Sequence, residues 1–213
     1  MYFDISPSLN PRVAVFPGDQ VFQREVSLSF NKGDHLELSS VTTTLHVGAH
    51  ADAPSHYSKK GQTIDRRDPR IYIGPAQVIE AKASDPSGRI SVRDFDLEQV
   101  IQPRVLFKTM SFPDPNQWIN DFNSFEPELL KALAKRGVKL IGIDTPSVDP
   151  WDSKALESHQ ILFENDLAVL EGLVLSEVPA GSYHLIAVPL KIEGADASPV
   201  RALLFSNQDW ERL

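Results

Sequence analysis

The sequence predicts an α+β fold, a layered β/β/α domain, on three observations. Strand signals dominate its first half, only three segments carry a helical pattern, and no composition shift divides its 213 residues. A single catalytic domain over residues 1–213 is therefore expected, with enough apolar content (41%) for a sizeable core. Residues 13–16, 23–30, 36–46 and 71–83 are rich in β-branched and aromatic residues, as strands are. Pro17-Gly18-Asp19, residues 31–34 and residues 85–88 supply the turns between and after them. Ser91, with Asp94 three residues later, reads as a capping pair opening a short helix over 94–100.

A strand over 105–110 follows. Residues 126–136 form the clearest helix, with Leu129, Leu130 and Leu133 as its apolar stripe and Gly137 as its stop. Residues 138–144 make a near-continuous apolar strand, the pattern of one buried on both faces. A second full helix is predicted over 153–163, and closing strands over 183–192 and 200–205.

The balance of charge narrows the partners. A net charge of −8 without a basic cluster argues against nucleic acid, which is bound through Lys and Arg on phosphates. No run approaches the ~20 apolar residues of a membrane span. The N-terminus lacks a basic start and an apolar signal core, so a cytoplasmic location is expected. The absence of cysteine removes disulfides, thiolate zinc sites and cysteine nucleophiles together. A small-molecule partner fits these bounds best.

Residues 46–56 carry the chemistry. They read His46-Val-Gly-Ala-His50-Ala-Asp52-Ala-Pro-Ser-His56, holding three of the six histidines. Imidazole and carboxylate are the ligands of a borderline divalent cation. A straight strand would separate His46 from Asp52 by about 20 Å, and a straight helix would turn Asp52 away from His46 and His50. Convergence needs a bend, which Gly48 and Pro54 permit, so a strand running into a curled loop is expected. The competing reading is a polar surface loop.

Further ligands must come from elsewhere. His159 lies in the second predicted helix, and Glu171 sits inside an apolar run, where a charge is costly unless paired or bound to metal. The alternative for Glu171 is an exposed position on an amphipathic strand. His35 reads as solvated and His184 as a surface or edge residue. Asp144 either supports the site from behind or caps its own following turn. His46, His50, Asp52, His159 and Glu171 make five ligands, more than one catalytic zinc uses. Two metals sharing carboxylates account for the surplus, leaving His56 for proton transfer. Zinc, manganese and cobalt all suit the set.

These residues bring the chain to a family. It resembles the bacterial kynurenine formamidases, within the wider metal-dependent cyclase family marked by His-x-Gly-Thr-His-x-Asp-x-Pro-x-His; here Ala49 replaces the Thr. The likeness extends through Phe3-Asp-Ile-Ser-Pro7, Phe16-Pro-Gly-Asp19, Tyr72-Ile-Gly-Pro75, Gly142-Ile-Asp-Thr-Pro-Ser-Val-Asp-Pro150, Leu170-Glu-Gly-Leu-Val-Leu175 and Gly194-Ala-Asp-Ala-Ser-Pro-Val-Arg201. The resemblance implies a swivelling β/β/α domain, a homodimer, and hydrolysis of N-formyl-L-kynurenine to L-kynurenine and formate in tryptophan breakdown.

By position, His46, His50 and Asp52 match ligands of one Zn2+, Asp52 and His159 ligands of a second, and Glu171 a ligand of both. His56 matches the proton donor and acceptor. Metal-bound hydroxide would attack the formyl carbon and His56 would protonate the departing aryl amine. No Gly-x-Ser-x-Gly nucleophile elbow is present. Phe16 stands where the family commonly has a substrate-lining Trp; it keeps an aromatic face and loses the indole N–H. Two other readings compete: an isatin hydrolase-like cyclic-amide hydrolase, and a metal-binding module without turnover.

Overall fold

Thirteen strands and four α-helices make up the computed structural model, which describes residues 2–212. The chain opens with β1 (Tyr2–Asp4), then an arm of β2 (Gln23–Leu28) and β3 (Leu38–Thr42). β4 (His50–Asp52) runs directly into the one-turn helix α1 (Pro54–Tyr57). Next come β5 (Ile73–Glu80), β6 (Arg89–Ile90), β7 (Arg104–Lys108) and β8 (Ser124–Phe125). The second half holds α2 (Pro127–Lys135), β9 (Leu140–Ile143), α3 (Glu157–Glu164) and β10 (Ala168–Glu171). β11 (Gly181–Ile186), β12 (Ala197–Pro199), β13 (Leu203–Phe205) and α4 (Asn207–Trp210) complete it.

Nine of these strands form one sheet in the order β1-β13-β11-β5-β7-β9-β10-β4-β12. The central β5, β7, β9 and β10 are parallel neighbours, and both flanks are antiparallel. Alternation along each strand separates two cores. Val105, Phe107, Ile141, Ile143 and Val169 pack against Leu129, Leu130 and Leu133 of α2 and Ile161 and Leu162 of α3. Leu106, Leu140 and Leu170 point the other way, into a core that also takes Leu185 and Leu204 from one flank and Ala51 from the other. Both flanks share one core because the sheet curls onto itself, giving the layered β/β/α arrangement of an α+β fold.

The two longer helices are set by their ends. In α2, Pro127 occupies the first turn, where its missing N–H costs nothing. Past its end, Val138 N–H donates to Leu133 O at 3.2 Å, closing the helix before β9. Leu129, Leu130 and Leu133 are fully buried, each worth about 1.5–3 kcal/mol of transfer free energy. In α3 the first-turn amides of Ser158 and His159 donate to Asp149, at 2.9 and 3.1 Å. Asp149 lies outside the helix, so the cap is non-local.

Several elements differ from the sequence expectation. Residues 13–16 are irregular, and 94–100 contain only a 3-10 turn at Leu97–Gln99. Asp94 accepts from the Ser91 amide and hydroxyl, at 2.6 and 2.9 Å, so the pair closes a turn rather than opening an α-helix. α3 starts four residues later than expected, after Leu156 at φ 50°. β1 and β12 gave no sequence signal; they are three-residue strands recruited by pairing with β13 and β4. Residues 46–56 bend first and run straight afterwards: a loop through Gly48, then β4, then α1.

Candidate metal centre

Strand register assembles the centre. Across β4 and β10, His50 pairs with Glu171 and Asp52 with Val169. Directly opposed residues project to one face, and Val169 lies in the helix-side core. His50, Asp52 and Glu171 therefore face the helices, and His159 meets them from α3. The bend before β4 folds His46 back over the same point. It depends on close backbone approach: Gly48 has φ 59°, and a Cβ on Gly172 would lie 2.1 Å from Gly48 O.

All five predicted ligands converge. His46 Nδ1 is 2.9 Å from Asp52 Oδ1. His50 Nε2 stands 3.5 Å from Asp52 Oδ1 and 3.3 Å from Glu171 Oε2. His159 Nε2 stands 3.4 Å from Asp52 Oδ2 and 3.6 Å from Glu171 Oε1. His50, Asp52, His159 and Glu171 are buried, at 2–3% exposure. The polar-surface-loop reading of residues 46–56 and the exposed reading of Glu171 both fail on this burial.

The outer nitrogen of each imidazole fixes what the inner one offers. Nδ1 of His50 donates to Gly48 O at 2.9 Å, and Nδ1 of His159 to Asp149 Oδ2 at 2.8 Å. His46 Nε2 donates to Asp196 Oδ2 at 3.0 Å. A neutral ring so anchored turns a lone pair inward. His50 Nε2, His159 Nε2 and both oxygens of Asp52 are buried without a hydrogen-bond partner. Acceptors crowded against acceptors are costly. A divalent cation removes the conflict: ligands on tetrahedral bonds of about 2.0–2.1 Å lie roughly 3.3–3.4 Å apart, close to the 3.3–3.6 Å of the His50 and His159 pairs. The residues fit a metal.

Charge in the metal-free site is held by protons instead. Burial lowers the His46 pKa, but Asp52 and Asp196 outweigh it and raise it to about 9. His159 is likewise raised, against burial, by Asp149, Asp52 and Glu171. Asp52 falls well below the carboxylate range because its histidine neighbours, His46 foremost, overcome the cost of burial. A bound dication supplies the same positive charge and releases those protons.

His56 stands at the rim on α1, its side chain 34% exposed. Its ring is 4.2 Å from that of His46 and 6.0 Å from that of His159. Burial pushes its pKa down, and the attraction of Asp52 does not compensate against His46 and His159. With His46 and Asp52 it also forms a cluster of donor atoms within 4.8 Å of one another.

Phe16 lines a cleft beside the centre together with His46 and His50. Its ring packs 4.7 Å from Trp118, which in turn meets Phe112 at 6.2 Å. Trp118, Phe112, Asp149 and Asp196 were not singled out by the sequence reading. Asp149 and Asp196 do fall inside two of the stretches that carry the family likeness, the one signal that marks them. Asp144 neither reaches the ligands nor caps its own turn: it accepts from the Thr109 amide and hydroxyl and the Met110 amide, on the turn after β7. His184, expected at the surface or an edge, is half-buried on an interior strand of the sheet and stacked on Trp210 at 4.6 Å.

Fold and donor set together define a metal-dependent hydrolase-type centre on a curled β/β/α scaffold. Residues 3–150 match the family described as "Putative cyclase". A "Kynurenine formamidase" of Delftia acidovorans is 43% identical over 202 residues, 95% of this chain and 96% of that one. A "Kynurenine formamidase" of Bacillus cytotoxicus is 38% identical over 203 residues, with the same coverage. A solved structure described as a predicted metal-dependent hydrolase from Bacillus stearothermophilus superposes with a TM-score of 0.80 at 26% identity, covering 96% of this chain and 97% of that one. The chain belongs to the cyclase family, and within it to the kynurenine formamidases.

Proposed function

We propose that this metal-dependent formamide hydrolase cleaves N-formyl-L-kynurenine to L-kynurenine and formate, using two divalent ions. The observation that carries the reading is the buried set in which His50 Nε2, His159 Nε2 and both Asp52 oxygens have no hydrogen-bond partner, with Asp52 and Glu171 each turned to both His50 and His159. The relatives' names give the substrate class.

His46, His50, Asp52 and Glu171 would hold one ion, and Asp52, His159 and Glu171 the other, with zinc the expected metal. Two such ions supply an activated water near neutral pH and polarise the formyl oxygen. His56, whose lowered pKa leaves it neutral near pH 7, takes a proton from the attacking water at its ring nitrogen and delivers it to the departing aryl amine. Phe16 and Trp118 receive the aryl ring on their faces. The arrangement asks for no serine nucleophile.

A homodimer belongs to the same reading, since the β2–β3 arm leaves Leu38 and Val41 exposed, with Phe30 just beyond it; light scattering checks it. Among the described residues no helix is long and apolar enough to cross a membrane.

The deciding experiment is turnover of purified protein after chelation and after return of Zn2+, Mn2+ or Co2+. N-formyl-L-kynurenine should be hydrolysed only with metal present. Activity surviving complete metal removal would sink the reading. A higher specificity constant for isatin would replace the substrate and keep the centre. Stoichiometric metal without turnover of either compound would leave a binding module.

A further inference from the structure

Two of the histidines above reach a single carboxylate oxygen, and only one of those contacts has been accounted for. His46 Nε2 donates to Asp196 Oδ2 at 3.0 Å, and His56 Nδ1 stands 3.5 Å from the same atom. The main chain holds Asp196 there. Its carbonyl accepts from Ala53 N at 2.8 Å, immediately before α1, and the next residue, Ala197, pairs with Asp52 across β12 and β4. The segment carrying His56 and the strand carrying Asp52 are thus both tied to the residue that contacts His46 and His56.

We propose that Asp196 is a positioning residue that fixes His46 as a metal ligand and His56 as the proton carrier. The proposal rests on the roles of His46 and His56 given above. A carboxylate on His46 Nε2 keeps the proton on that nitrogen and leaves Nδ1, 2.9 Å from Asp52, with its lone pair inward. Without it the other tautomer becomes available, which turns an N–H toward the ion. For His56, a carboxylate beside Nδ1 favours the proton there, leaving Nε2 to exchange with the reacting groups, and stabilises the imidazolium formed when it does. One residue thereby couples the metal's seat to the proton's path.

Truncation at this position spares the fold, because the Asp196 side chain is 49% exposed and water can take its place. The test uses Asp196→Ala and Asp196→Asn in the full chain. Metal affinity is read by chelator competition, kcat and KM with N-formyl-L-kynurenine at saturating metal, and stability by thermal melting. Asp196→Ala should bind metal about 10–100-fold more weakly and, once saturated, lose on the order of 10²-fold in kcat with KM within about threefold. Asp196→Asn still offers His46 an acceptor but no charge. It should recover most of the metal affinity while kcat stays about tenfold low.

Parental metal affinity and kcat in Asp196→Ala would overturn the proposal. So would a fall in melting temperature and a rise in KM with kcat unchanged, the pattern of a merely structural residue. Should the parent show no formamidase activity, the proposed reaction fails, whereas chelator competition still decides whether Asp196 supports His46.

Discussion

Asp52 and Glu171 each turn one carboxylate oxygen toward His50 and the other toward His159. They sit on adjacent antiparallel strands, offset by two residues, so the sheet itself sets the distance between them. Two carboxylates that both span the same pair of imidazoles make a centre with two ends. Protein loaded with Zn2+ should therefore hold two ions per chain by elemental analysis. Glu171→Gln, which weakens a ligand of both ends, should lose both ions together. Clean retention of one tightly held ion in that variant would argue against shared ligation.

Metal-free protein should lose stability as pH rises. His46 in the folded chain binds its proton up to about pH 9, against an ordinary value of 6.5. Its contribution is complete below about pH 6.5, is lost as pH climbs through 9, and is on the order of 3 kcal/mol. With metal bound the trend should reverse, since ligands must be deprotonated to bind. Melting curves between pH 6 and 9.5, with chelator and with Zn2+, give both slopes. A chelated protein whose melting temperature rises over that range would refute the electrostatic account of the centre.

Asp149 and Asp144 are both buried carboxylates near the centre, and they should behave differently. Asp149 accepts from His159 Nδ1 and from two amides of α3, and its pKa is lowered because these donors, His159 foremost, outweigh burial. Asp149→Asn should weaken metal binding about 10–100-fold. Asp144 serves the turn after β7, and burial raises its pKa. Asp144→Asn should destabilise the fold by about 1–3 kcal/mol with metal affinity unchanged. Urea unfolding and chelator competition on both variants separate the two roles.

What the sequence made legible follows from what is local. The helix α2 and the buried strand β9 were readable because side-chain periodicity and end signals lie within the element. The five candidate ligands could be picked out because metal chemistry demands particular side chains, and the structure brings these five together. The supporting carboxylates were not. Asp149 caps a helix that begins eight residues later, across the unusual Leu156 backbone. Asp196 owes its role to β12, three residues whose strand character comes from pairing with β4 rather than from their own propensity. Trp118 reaches Phe16 only through tertiary folding, from about a hundred residues away.

The aromatic contact between Phe16 and Trp118 yields a prediction about binding. Both rings are half-buried in the wall of the cleft, and Trp118 is steadied by its indole N–H, which donates to Asn120 Oδ1 at 2.7 Å. Neither touches the ligand set through a hydrogen bond, so truncating either should leave bound metal unchanged. Each loss removes an aromatic face for the aryl ring, and such contacts are worth about 0.5–1.5 kcal/mol beyond area burial. Phe16→Ala and Trp118→Ala should therefore each raise KM on the order of tenfold, with kcat within about threefold. Because the rings support one another at 4.7 Å, the double variant should cost less than the sum of the two. Steady-state kinetics on the three variants decide it: a fall in kcat at constant KM would place these rings in the chemistry, and full additivity would mean that they act on separate parts of the substrate.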